Sequence, residues 1–172
     1  MRQPAIVPLH AVTSSNALHY LQRTVNNDSL RRWLILQNAA FIGHFREAAE
    51  QRGKLSSANL LDMPESNQLA LNVDSIFELL GEDRNAGSAA ILRYIDQGND
   101  LAALLRRARE LVLLKGTDSH DYKFSSAIFE DYQYCSPQWQ KKVLAAAAHL
   151  LPNAKQADNG LKSRIEEAFG GV

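Results

Sequence analysis

Apolar residues recur along this chain at three- and four-residue intervals, the period of amphipathic helices, and no segment reads as a strand. Pro4 and Pro8 disfavour helix around them, so residues 1–9 read as an extended arm lying on the body or on another subunit. Leu9, Val12, Ala17, Leu18 and Leu21 then give an apolar side to a helix over residues 11–25. A longer helix is expected over 30–52. Leu30, Trp33, Leu34, Ile35, Ala39, Ala40, Phe41 and Ile42 make its first half apolar nearly all round, which predicts burial on more than one side and a central place in a bundle. Gly43 interrupts it at a cost of about 1 kcal/mol relative to alanine. Such a glycine either packs ordinarily or admits a neighbouring backbone or ligand.

The period weakens over residues 54–72, which contain Pro64 and read as a long loop of the kind that often serves as a lid or partner-binding segment. Short helices follow, one capped by Asp74 and stopped at Gly81, one opened by Ser88 after a turn over 81–88. Asp100 and Gly116 bracket the next helix in the order that the helix dipole and C-cap preferences favour. A further helix is capped by Asp118 or Ser119 and runs to Tyr134 and Cys135. Ser136 and Pro137 give a strong helix start, leading through four alanines to Pro152. Residues 152–160 read as a polar linker to a last helix. The expected architecture is all-α, a single helical domain over residues 1–172 with about eight helices and no sheet.

Composition narrows the function classes. Lysine plus arginine and aspartate plus glutamate both number 19, so there is no basic excess of the kind nucleic-acid binding usually needs. No apolar run approaches the roughly 18–20 residues of a membrane span. The short apolar run at the N-terminus does not read as a signal peptide, and a cytoplasmic location is the default. The single cysteine, Cys135, excludes an internal disulfide and any cysteine-rich metal site, and reads as a small packed residue.

Common catalytic motifs are absent, which leaves five histidines as the chemistry-bearing residues: His10, His19, His44, His120 and His149. His10 and His19, nine residues apart on one helix, point to opposite sides and cannot share a metal. His10 leans inward beside Leu9 and Val12. His149 sits at a helix C-terminus, where the dipole stabilises a protonated ring. His44 stands where an apolar helix turns polar, as an interfacial histidine or a ligand. A haem site is a weaker reading, because nothing marks one histidine as proximal.

The least expected pair is His120 with Lys123. The row His120, Phe124, Ile128 and Tyr132 is mostly apolar and would face the interior, with Lys123 at its edge. One reading is a histidine bonded near a helix start and a lysine snorkelling past Phe124. The other is a metal site in which carboxylation turns the lysine into an anionic oxygen ligand, with Glu130 as an acceptor behind it.

The segment L-H-A-V-T-S-S-N-A-L at residues 9–18, the Q-N-A-A-F helix, H-D-Y-K-F-S-S-A-I-F-E-D-Y from His120, and W-Q-K-K-V-L-A-A-A-A-H-L-L after it resemble the C-terminal half of the questin oxidase-like family. The resemblance extends over about 150 residues and rests on short motifs. It implies oxygenation and ring cleavage of an aromatic or quinone substrate at a mononuclear transition metal, with iron favoured. It implies His10, His120 and carboxylated Lys123 as ligands. Family proteins are roughly twice this long and take further histidine ligands from an N-terminal half. The expectation is therefore that a partner chain or a homo-oligomer completes the site, that His44 or His19 substitutes, or that the site is degenerate. Phe41, Phe124, Phe129 and Trp33 are candidate walls of an aromatic pocket, or ordinary core. The competing function is a non-catalytic helical accessory subunit that binds a partner chain.

Overall fold

Side-chain caps set the starts of most helices. In the computed structural model, which describes residues 6–52 and 72–170, the chain forms eight α-helices with no strand among the described residues. They are α1 (Ile6–Thr24), α2 (Asp28–Gln51), α3 (Val73–Glu82), α4 (Arg84–Asp96), α5 (Leu101–Lys115), α6 (Ser119–Asp131), α7 (Pro137–Ala147) and α8 (Leu161–Ala168). A 3-10 turn, Tyr132–Tyr134, follows α6. Asn27, Asn72, Asp83, Asp100 and Asp118 each accept a hydrogen bond from an amide of the first turn they precede. Pro137 opens α7, where its missing N–H leaves no bond unmade.

The core is built from α3 to α7. Ile76, Phe77 and Leu80 of α3, Leu111 of α5, Phe124 of α6 and Ala145 of α7 are all at least 98% buried. α1 joins this core through Leu9 and packs along α6, while α2 packs on the outer side of α1. At the crossing of α4 and α7, buried Ser88 donates to the Ala145 carbonyl, and the small residues around it let the two backbones approach. Arg84, at the start of α4, donates from one guanidinium nitrogen to the carbonyls of Ala148, His149 and Leu151 at 2.8–3.0 Å. It thereby satisfies carbonyls that the end of α7 leaves without helical partners.

Several expectations are corrected. The extended arm over 1–9 does not hold for residues 6–9, which are the first turn of α1. Pro8 is tolerated there because the first amides of a helix have no intrahelical acceptor. The helix expected to be central is peripheral: α2 buries no residue fully, and Trp33, Ile35 and Leu36 are 68%, 57% and 60% exposed. The turn expected over 81–88 is mostly helix. α3 runs through Gly81, and α4 begins at Arg84 and contains Gly87. Both glycines make room for a neighbour. A Cβ on Gly87 would stand 2.5 Å from Leu80 Cγ, and one on Gly81 would stand 2.8 Å from Asn153 Oδ1. Residues 152–160, expected as a linker, run as irregular chain to the last helix and are held against the body. Ala154 N–H donates to the Phe77 carbonyl, and Asn159 donates to the carbonyls of Leu113, Leu114 and Gly116 at the end of α5. The loop expected over 54–72 lies outside the described residues, apart from Asn72.

Candidate functional site

The seam between α1 and α6 gathers most of the polar residues singled out by sequence. α1 and α6 run in the same direction, so contacts advance together along both. At the first turns His10 meets His120, with ring centroids 5.4 Å apart and planes at 79°. Farther along, the Asn16 side-chain amide donates to Glu130 Oε2 at 3.2 Å and to Asp131 Oδ1 at 3.1 Å. His19 Nδ1 lies 3.1 Å from Asp131 Oδ1, and its ring stands edge-on to Tyr134. The Arg23 guanidinium lies 4.0 Å from the centroid of the Tyr134 ring and closes this end of the seam.

His120 is positioned by its own helix start. Its backbone amide donates to Asp118 Oδ1 at 2.6 Å, and its Nδ1 lies 3.2 Å from the same oxygen. The amide bond is the largest cause holding the Asp118 carboxyl below the usual range, and the ring's bond and charge add to it. A carboxylate oxygen only accepts, so Nδ1–H donates to Asp118, and this contact directs Nε2 of the ring away from Asp118 as the nitrogen open to a ligand.

His120 does not enter the core as its row suggests. Phe124 and Ile128 of that row are buried, but His120 sits at the first turn and keeps its side chain one-third exposed. Lys123 is exposed. His10 is exposed rather than inward-leaning, while its neighbour Leu9 takes the core position. Glu130 is engaged by Asn16, and no ion pair joins it to Lys123 among the described residues. His44 is exposed on α2. The bond from Ser15 to Asn38 sets the α1–α2 register and brings His44 about level with His10.

The donors match the expected metal in type but fall short in number. Two imidazoles and a lysine one turn along suit a first-row transition metal if the lysine is carboxylated. No group of three or more histidine, cysteine, aspartate or glutamate residues that could hold a metal occurs among the described residues. The aromatic pocket is not assembled as expected either. Phe124 is core, Trp33 and Phe41 lie on exposed α2, and Phe129 lines a cleft. That cleft, open and of about 440 Å³, lies between α5 and α6 and is lined by Arg109, Leu113, Tyr122, Ser126, Phe129 and Gln133 among others. It opens largely away from His120, because Tyr122, Ser125, Ser126 and Phe129 project roughly 120–180° from it around α6 at about 100° per residue.

Sequence reasoning passed over Asn16, His19 and Arg23 as a group. The signal was present in their spacing, since positions i, i+3 and i+7 of one helix share a face. Their acceptor, Asp131, has no such local signal. Cys135 is half-buried, its thiol pushed up by burial first and by Asp131 second, in keeping with a packed residue. His149 is 94% buried, and burial together with Arg84 pushes its pKa down, so the expected protonated ring at a helix end is corrected to a neutral one. No helix among the described residues is long and apolar enough to cross a membrane. No protein-family model, curated protein or solved structure matches the chain.

Proposed function

We propose that this chain is a subunit of a non-haem, metal-dependent oxygenase, carrying half of a transition-metal site and acting on an aromatic or quinone substrate. The observation that carries the reading is the contact of His10 with His120 across 110 positions of sequence, at two of the three residues the family resemblance names. His10 and His120 would hold the metal through ring nitrogens, with Asp118 fixing the tautomer of His120. Lys123, once its amine has added carbon dioxide and released a proton, would give an anionic oxygen. The remaining donors come from a second chain. The metal supplies open positions for dioxygen and substrate when bound.

The test is metal analysis of the purified chain, with and without any co-purifying protein, followed by iron(II) titration in a calorimeter. About one metal per site is expected, lost in His10→Ala and His120→Ala and weakened in Lys123→Ala. A transition metal no higher than trace in every sample, with no heat of iron binding, would falsify the proposal.

The second reading is a non-catalytic subunit that docks onto another chain, and the uncovered apolar face of α2 favours it. Here the His10→Ala/His120→Ala double variant leaves association unchanged, whereas substitutions on α2 abolish it.

A further inference from the structure

We infer that two copies of this chain pair through α2, antiparallel, about a two-fold axis between Ala39 and Ala40. The inference is independent of the metal site, and it deepens the docking reading by naming the partner as a second copy.

The face itself is the first observation. Arg31, Leu34, Asn38, Phe45 and Ala48 of α2 are partly covered on the α1 side. At about 100° per residue the opposite side carries Trp33, Leu36, Ala39, Ala40 and Gly43. With Ile35 and Ile42 toward one flank, these residues leave an apolar strip of α2 that α1 does not cover.

The second observation identifies the occupant. A two-fold interface requires that residue i meet residue j and that j meet i. On this face the pairs equidistant from the midpoint of Ala39 and Ala40 are complementary. Arg32 falls opposite Glu47, and both are exposed and without an ion-pair partner among the described residues. Leu36 falls opposite Gly43, where a Cβ would meet nothing within 4 Å, so a leucine from the partner has a notch to enter. Trp33 falls opposite Arg46, a guanidinium over an indole face. Ala39 falls opposite Ala40, and two small residues at the crossing point let the helices approach closely. The pattern matches its own reversal in charge and in size. An unrelated partner would not require that symmetry.

Sedimentation equilibrium of the full chain tests the pairing. At 1–100 µM the expected species is a dimer, twice the 19.1 kDa of the chain. Leu36→Glu should give a monomer with unchanged far-UV circular dichroism. Arg32→Glu and Glu47→Arg should each raise the dimer dissociation constant about tenfold or more, because like charges then face each other at two places. The double variant should return it to near the wild-type value. A monomer at 100 µM overturns the inference, as does a dimer that the Leu36→Glu variant leaves intact. A dimer weakened by both single charge reversals and not restored by the double overturns the antiparallel register. A metal-free dimer leaves the pairing standing and removes only the oxygenase reading, and a chain that binds metal only together with a different protein, and does not pair with itself, does the reverse.

Discussion

His149 and Arg84 show how one buried contact joins capping to acid stability. Arg84 gives up part of its hydration to hold the carbonyls after α7, and burial lowers its pKa, although the arginine stays charged. The His149 ring stands beside that charge in a dry site, with Asp83 opposing the shift. Its folded pKa lies below the unfolded value of about 6.5, so the unfolded chain binds more protons between the two. Stability is complete above pH 6.5 and falls as the pH drops through that value toward the folded pKa. Urea midpoints measured from pH 8 to pH 5 should decline in this window, and His149→Gln should flatten the decline even if the variant is less stable throughout. Asp118 and Asp158, whose carboxyls are held low by amide and lysine hydrogen bonds, act only near and below pH 4 and do not overlap it. Single residues were unevenly legible. Asp100 and Asp118 could be named as caps because a cap needs only local chain direction. The meeting of His10 with His120 had no local signal, because it depends on how α1 seats on α6, and only the family resemblance put the two together. His149 was misread for the same reason, its burial being set by α4.

The helices with strong local signals match their expected bounds closely. α5 follows Asp100 and ends before Gly116, and α7 starts at Pro137. The errors fall where glycine serves packing rather than chain reversal. Gly81 and Gly87 looked like turn residues, yet each lies in a helix because a neighbouring side chain occupies its missing Cβ. Gly87→Ala tests this on the element scale. Alanine gains about 1 kcal/mol of helix propensity, but the added methyl would also stand 2.9 Å from Leu80 Cα, so α3 and α4 must separate. A net loss of about 1–2 kcal/mol is expected in thermal or urea unfolding, and a variant as stable as the parent would remove the close-packing explanation. For α2 the apolar count was right and the inference of a central position was wrong. Periodicity records which residues avoid water but not which surface covers them.

At the scale of the molecule the all-α architecture was legible from the 3.6-residue period and the absence of alternation. The division into a packed body and an outlying α1–α2 hairpin was not, because both parts share that period. The division has a consequence for the dynamics of the fold. The amides of α4, α5 and α7 exchange with solvent only when the core opens, whereas α2, held along one side by α1, can lose its hydrogen bonds while the core stays intact. If α2 is also the contact between two copies, its opening is linked to association, and mass action makes its protection depend on concentration. Hydrogen–deuterium exchange at 1 and 100 µM should show α2 slowing at the higher concentration while α4 and α7 exchange at the same rate in both. The most loosely held helix of the single chain would then report, through its own amides, whether a second chain is present.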